Sequence, residues 1–510
     1  MDSFIASRCL IKHALIIFCW VAVIGTGLFL RFDQLAKRPF HADEATGARI
    51  TAARLQSGDY HFDPVHYHGP VLSSLAMPLC GWKGEDSWQE MTKLTPRLVP
   101  AIAGSLLMLV PLFWRRRFGD ASMLLASALM ATSPLLVYYS RMYIHESLLV
   151  LFGMLALVSL VRVPRWGIPG LWVGLMFATK ESFAISIIAW SGAALLLALE
   201  NHKQLDRAWW SSAWREYRIP LSLSLLTAAV TAGFFYTDGF RKPQGAFDAV
   251  RTFFVYQTVD GHNKPFGYYF DLCMVPSKSG GVWWYGTPVV VLALLGYAAT
   301  FRRGTQGRGV IRFLAYATLG HFLIYSIIRY KTPWLACLPW AHLCLLAGFG
   351  IAGFSAQRLW LKITSGLLVA VCLITQFQQA RQAIGRFASD ARNPFAYVPT
   401  RGEIETLEPW LKQLRQVAPG STLEPVGVIG TDYWPLPWYL RTFRKIGYWP
   451  TPPDDLTSLP LVFAMPEISD AVASQLQHSH TPLPRGLRDG VAVTLFVRND
   501  IWNHWIESGR

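Results

Sequence analysis

Charge is what this chain has least of. Only 15% of its 510 residues are Asp, Glu, Lys or Arg, against about 25% in a typical soluble domain. A soluble globular reading is excluded on that ground. Thiol chemistry is scarce as well. The seven cysteines are Cys9, Cys19, Cys80, Cys273, Cys337, Cys344 and Cys372, an odd number with no CxxC among them. Five of them lie in or beside apolar runs, which reads as buried apolar thiols rather than a zinc site or a disulfide framework. Internal repeats and low-complexity tracts are missing, which removes solenoids and linker-like chains. Acids are outnumbered 32 to 47, giving a formal charge of +15. The bases are spread over five short segments instead of one stripe, so no nucleic-acid partner is expected.

Apolar residues are abundant, at 52% of the chain. The first apolar run is about 10–30, and Arg8 and Lys12 precede or begin it. It is long and no small-x-small cleavage site comes after it. It is therefore expected to be a first membrane span with its N-terminus cytoplasmic, not a cleaved leader. Further runs fall near 97–114, 120–139, 147–161, 166–179, 183–199, 219–236, 283–300, 311–328, 334–353 and 359–376. The expected fold is an α-helical polytopic membrane protein with about eleven transmembrane helices. With the N-terminus inside, the cytoplasmic loops are 115–120, 162–166, 200–218, 301–312 and 355–362, and each carries at least two Arg or Lys. That is the positive-inside pattern, and it makes an inner or plasma membrane the expected location.

The same topology leaves three long segments on the extracytoplasmic side: 31–96, 237–282 and the tail beyond 376. The expected division is a membrane domain over 1–376 and a small α/β domain over 377–510. In the tail, Thr400 and Glu403 have capping-box spacing. Leu407, Trp410, Leu411 and Leu414 follow on one helical face, and Gly420 closes the pattern. "VGVIG" (426–430), "LPLVFA" (459–464) and "VAVTLFV" (491–497) read as strands.

The unusual polar residues gather at the extracytoplasmic ends of the spans, where ionisable groups are costly and tend to mark sites. Asp43 and Glu44 open the first loop. Three readings stand side by side: a general base, a carboxylate pair for a divalent cation, or a helix start with Asp43 as its cap. His66 and His68 in "DPVHYHGPVL" suit a metal together with Asp63, hydrogen bonding to phosphate or sugar, or an ordinary loop. The short second loop "YYSRMYIHESLLV" packs Arg141, His145 and Glu146 together. Glu146 there either joins Asp43 in a shared site or pairs with Arg141. Lys180 and Glu181 in "FATKES", Asp260, His262 and Lys264 in "VDGHNKPFGYY", and Arg329 and Lys331 in "IIRYKTPWL" complete the set. Bases on this side run against the positive-inside bias. Binding an anionic group explains them, with interfacial snorkelling as the plainer alternative. Acids and histidines on loops one and two, with bases on loops two to five, fit a site for a phosphate-bearing lipid.

These stretches resemble the GT-C superfamily of membrane glycosyltransferases. Within it they are most similar to the flippase-activity-associated membrane proteins, relatives of protein O-mannosyltransferases and aminoarabinose transferases. "HADEATGARI", "YHFDPVHYHGPVL", "YYSRMYIHESLLV" with "ATKES", and "RYKTPWL" carry the likeness, with "NPFAYVPTR" and "DYWPLPWYLR" in the tail. The resemblance implies a polyprenyl-phosphate sugar donor and a glycan, lipid or protein acceptor, with membrane lipids around both. It implies Asp43 as the catalytic acid of the first loop, Glu44 next, and Glu146 as the second-loop acid. His66, His68 and His145 then position acceptor or metal. Lys331, Arg329 and Lys180 become donor-phosphate ligands, with Arg141, His262 and Lys264 in support. A divalent cation, held if at all by Asp43, Glu146 and His68, stays open, because members of the superfamily differ in metal use. His145 stands where related sequences often carry another residue. Lipid-linked sugar transport without transfer is the alternative function.

Overall fold

A computed structural model describes residues 2–162, 167–201, 207–255, 262–302, 304–350, 359–417 and 423–509. Parts of four of the five basic loops, Asp260 and Gly420 lie outside them. The helices ahead of the tail, in chain order, begin with α1 (Asp2–Phe32), α2 (Ala42–Ser57), α3 (Val71–Lys83), α4 (Leu94–Leu107) and α5 (Arg115–Phe118). They continue with α6 (Asp120–Thr132), α7 (Pro134–Ser140), α8 (Glu146–Arg162), α9 (Ile168–Phe177), α10 (Phe183–Glu200) and α11 (Arg207–Tyr236). Then come α12 (Gln244–Val255), α13 (Tyr268–Cys273), a hairpin of β1 (Ser277–Ser279) and β2 (Val282–Trp284), α14 (Thr287–Ala298), α15 (Arg308–Ile327), α16 (Cys337–Gly350) and α17 (Leu359–Ile384). The chain divides into two compact units. The first is 1–35, 57–79 and 94–386; the second is 36–56, 80–93 and 387–510. The second unit thus takes in two pieces of the first long loop besides the tail, and so carries most of α2.

In the first unit all eleven apolar runs hold helix. Among the described residues seven helices are long and apolar enough to cross a membrane, or eight with one bent pair, beside three shorter apolar helices. The protein is integral to the membrane. Its outward faces are apolar, as lipid requires: Ile11, Leu15 and Phe18 on α1, Leu225 and Leu226 on α11, and Leu367 and Val371 on α17 are all exposed. The centre is α16, every residue of which is buried, packed against α14, α6, α15 and α8.

Three expectations change in detail. The run at 120–139 is not one straight span: α6 and α7 meet at 58°. Pro134 starts α7 and cannot continue the hydrogen-bond ladder of α6. Ser133 caps the break, accepting from the Leu136 N–H at 3.3 Å and the Trp340 indole at 2.9 Å. Residues 207–218, expected as cytoplasmic loop, are the first three turns of α11. Ala, Arg and Glu there favour helix, which a hydropathy reading does not register. α17 likewise runs on to Ile384 through the polar stretch "TQFQQARQ".

The cysteines whose side chains are described, Cys19, Cys80, Cys273, Cys337, Cys344 and Cys372, are all free thiols, and all but Cys19 are buried.

The short helix α9 owes its place to two glycines spaced as Gly-xxx-Gly, which let helix backbones approach closely. A Cβ on Gly170 would lie 1.9 Å from the Ser224 carbonyl oxygen, and one on Gly174 2.6 Å from that of Ala228, both on α11.

The second unit contains α18 (Leu407–Val417), β3 (Val426–Ile429), α19 (Leu436–Tyr439), β4 (Ile446–Trp449), β5 (Leu461–Ala464), α20 (Ser469–Leu476), β6 (His480–Arg488), β7 (Val491–Arg498) and α21 (Asn499–Glu507). Its five strands order as β4-β3-β5-β7-β6. β3 runs parallel to β4 and β5, while β7 is antiparallel to β5 and β6. The expected strands are β3, β5 and β7. The expectation missed both edges: β6 contains Pro482 and Pro484, tolerated only where no ladder partner is needed on one side, and β4 is four half-buried residues. Leu407, Leu411 and Leu414 face the core as their spacing predicts. Thr400 does not cap that helix; its hydroxyl donates to the Phe40 carbonyl at 2.8 Å. A 3-10 turn, Gly402–Thr406, leads in instead.

Gly170→Leu is expected to lower thermal stability by overpacking α9 on α11, at a cost of about 1–3 kcal/mol or more. Leu175→Ala on the same helix serves as the comparison in a detergent-solubilised melting experiment. An unchanged melting temperature for Gly170→Leu would remove the close-packing role of this glycine pair.

Candidate functional site

The first unit brings three loops together. The "YHGP" segment crosses the turn after α9 so closely that Gly69 is obligatory: a Cβ there would sit 2.2 Å from the Ala178 carbonyl oxygen. The Val71 N–H donates to that same oxygen at 3.1 Å. The crossing sets His68 beside Glu181, Nδ1 to Oε2 2.9 Å. His145 donates from Nε2 to the Gly69 carbonyl at 3.2 Å, and its ring meets that of His68 edge-on at 5.1 Å. Glu146 follows in the first turn of α8, where the helix dipole favours an acid. Lys180 reaches it at 2.5 Å, and both side chains are buried. Burial raises the Glu181 carboxyl, but the charge and hydrogen bond of His68 and the Lys180 ammonium outweigh it and hold it down to about 2. His145 is driven well below its usual value by burial, then by His68 and Lys180, so it is a neutral imidazole donating one N–H.

Glu146 therefore pairs with Lys180. Arg141 serves elsewhere: its guanidinium donates to the carbonyls of Leu30, Arg31 and Gln34 at 3.0–3.2 Å. These are the last carbonyls of α1 and the turn after it, which lack helical partners. His66 is also apart, bonded to Asp63 at 2.9 Å within a local turn and largely exposed.

A second group in the same unit gathers four of the expected phosphate ligands. Residues 262–264 and 329–331 pair as an antiparallel bridge, with the Lys331 N–H on the His262 carbonyl at 3.0 Å and the Lys264 N–H on the Arg329 carbonyl at 3.1 Å. The Lys331 ammonium is buried and donates to the carbonyls of Lys264, at 3.1 Å, and Ile328. Loss of hydration lowers its pKa from the usual lysine value. Arg329 stays exposed beside it. Tyr269, bonded to the Thr332 carbonyl at 3.1 Å, has its ring 6.0 Å from Tyr325. Tyr325 is in turn within electrostatic reach of Lys180, Glu146 and Glu181.

In the second unit, α2 starts at Ala42 with His41 as its cap. The Asp43 N–H donates to His41 Nδ1 at 3.2 Å, and Glu44 reaches back to the His41 N–H at 3.0 Å. This is a capping box with an imidazole in the place of Ser or Thr. His41 Nε2 donates to the Tyr397 carbonyl at 3.1 Å. Glu44 is fully buried and also receives Arg38 at 3.1 Å. The adjacent acids thus part company. Glu44 is consumed by the helix start; the Asp43 side chain is 52% exposed, its nearest basic contact the His41 ring at 3.8 Å. The cap expected at Asp43 falls to His41. His41, Tyr269 and Tyr325 are the residues that the sequence reading does not single out, and Glu181 is noted there without a role. The "H-x-x-E" spacing was the available signal for His41.

As for a cation, no group of three His, Cys, Asp or Glu suited to a metal stands together among the described residues. The donor set argues the same way, because Glu146 is neutralised by Lys180 and Glu181 is bonded to His68. A divalent ion there would meet an ammonium.

Comparison with known proteins gives a family match over part of the chain and a shared fold over most of it. Residues 91–229 match the family model for dolichyl-phosphate-mannose-protein mannosyltransferases. ArnT from Cupriavidus metallidurans in the apo state superposes over 93% of this chain and 97% of its own, with a TM-score of 0.62 at 15% identity. The undecaprenyl phosphate complex of that protein gives 0.59 at 16% over the same shares. The archaeal oligosaccharyltransferase AglB from Archaeoglobus fulgidus, in complex with an inhibitory peptide and a dolichol-phosphate, gives 0.50 at 15% over 89% of this chain and 69% of its own. No curated protein sequence matches. The narrower likeness to flippase-associated proteins remains one of motifs.

Lys180→Ala is expected to cost about 3–5 kcal/mol, because it strands a buried carboxylate. Lys180→Ala combined with Glu146→Ala is expected to be less damaging than the sum, which a double-mutant cycle on melting temperatures reads directly. A depressed carboxyl stabilises the fold above its ordinary pKa, and that contribution is lost as pH falls through the folded value. The Glu181 share should therefore be intact at pH 5 and lost between about 4.5 and about 2. His68→Phe should raise the Glu181 pKa in carboxyl NMR; an unmoved value would detach Glu181 from His68.

Proposed function

We propose that the protein is a membrane glycosyltransferase that moves a sugar from a polyprenyl-phosphate donor to an acceptor at the extracytoplasmic face. The observation that carries this reading is the bridge that collects His262, Lys264, Arg329 and Lys331. Four basic side chains on paired backbone segments, one of them buried, suit a phosphate leaving group whose charge grows in the transition state. The solved structures with undecaprenyl phosphate and dolichol-phosphate support the choice of lipid.

In the transfer, the bond between the anomeric carbon and the phosphate oxygen breaks and a bond from the acceptor heteroatom to that carbon forms. The acceptor proton goes to a general base, and the lipid phosphate leaves with the electron pair. Asp43 is the group for the base: it is an exposed carboxylate with no structural duty of its own, fixed in place by its backbone at a capped helix start. Glu44 is spent on the helix. Lys331 and Arg329 hold the phosphate, with Lys264 and His262 beside them. Glu146, Lys180, His68, Glu181 and His145 form a charge-balanced cluster that positions rather than reacts, and no step is routed through a metal. The N-terminus is cytoplasmic and the second unit extracytoplasmic in this reading, which rests on the distribution of basic loops. Lipid transport without transfer is not favoured, because these acids and bases sit on turns between helices rather than along a membrane path.

Sugar transfer from synthetic polyprenyl-phosphate sugars by the purified protein tests the proposal. Asp43→Asn is expected to reduce kcat about 10²–10⁴-fold with donor binding retained. Glu44→Gln should act chiefly through stability, and Lys331→Met should raise the donor KM. Equal transfer by wild type and Asp43→Asn would overturn the role given to Asp43.

A further inference from the structure

Within the helix bundle lies a set of buried polar atoms that the functions above do not use. On α10, Ser186 and Trp190 follow Ser182 at four-residue spacing, one face of a helix. The hydroxyls of Ser182 and Ser186 and the indole N–H of Trp190 are buried and have no hydrogen-bond partner. Facing them on α15 are Tyr325 and, four residues earlier, His321. His321 gives Nδ1–H to the Ala317 carbonyl at 2.7 Å, which leaves Nε2 as a bare acceptor, also unpartnered. His342 on α16 completes the group with both ring nitrogens unpartnered. Both imidazoles are fully buried. The three rings form a closed triangle: His321 to His342 5.3 Å, and Trp190 to each 6.5 Å.

Six polar atoms on three helices thus stand without partners along one seam. It begins at the turn that carries Lys180 and Glu181 and runs two turns down α10, about 12 Å at 1.5 Å per residue. A buried polar atom without a partner is costly, so a dry seam would be a heavy burden on the fold. Buried polar sites of this kind hold water when two to four partners converge. The seam offers donors (indole N–H, one imidazole N–H, two hydroxyls) and acceptors (His321 Nε2, the other His342 nitrogen, the same hydroxyls). A metal ion suits it less, since the triangle holds no carboxylate to offset the ion's charge. Tyr325, its ring 6.3 Å from that of His321, is in turn within electrostatic reach of Lys180, Glu146, Cys337 and Glu181.

We propose that this seam binds a short file of ordered water, running from the turn that carries Lys180 and Glu181 to the histidine pair.

Three measurements on the full-length protein test it. In hydroxyl-radical footprinting with millisecond exposure, Trp190 should be labelled despite its burial, because radicals form from bound water; an unlabelled Trp190 would overturn the water file. His342→Phe should lower the melting temperature, since it strips partners from the water. A rise would mean that a dry, strained cluster had been relieved, and would overturn the proposal. One equivalent of zinc or copper in the purified wild type, lost in His342→Phe, would assign the site to a metal instead.

Discussion

An ammonium and a carboxylate shut away from water must find each other, and the Lys180–Glu146 contact is where this molecule meets that demand. Neither side chain can be placed alone. Glu146 needs α8 to begin where it does, and Lys180 needs the turn after α9 to point inward. That turn is held by the first loop, whose backbone lies on the Ala178 carbonyl. The neighbouring His68–Glu181 pair repeats the rule with a weaker base. Three loops far apart in sequence are joined because their charges have no cheaper place to go.

The same economy of charge sorts the two adjacent acids of α2. One carboxylate is enclosed by an arginine and a backbone N–H and so defines the helix start. The other is left to solvent and so is available for chemistry. Identical chemistry in neighbouring residues becomes opposite duty through a single step around the helix.

Much of this was legible in the sequence. Among the described residues, apolar runs located each helix long and apolar enough to cross a membrane, since lipid demands them; their bends and polar extensions were not legible, because Pro134 reads equally as a loop and "AWWSSAWREYR" carries no hydropathy signal. In the tail, alternating apolar residues marked the central strands β3, β5 and β7. The edge strands were hidden, with β6 broken up by prolines. Residue types at the helix ends pointed to Glu146, Lys180, His68 and Lys331 as notable, but partner choice was not visible. Arg141 and Lys180 are equally plausible mates for Glu146 until the helix carbonyls that occupy Arg141 are seen. An imidazole is an uncommon helix cap, which hides His41 in the sequence, and an aromatic in an apolar span looks like packing, which hides Tyr325.

Gly69 holds one more implication. The first loop touches the turn after α9 through backbone atoms, with no side chain between them to lengthen or shorten. Nothing at the crossing can absorb a change in chain length. Residues 68–71 and 178–181 are therefore a fixed-length clasp, where insertion or deletion of one residue would pull histidine from glutamate and lysine from glutamate together. Lineages of this protein should vary the loops around the clasp while keeping its count.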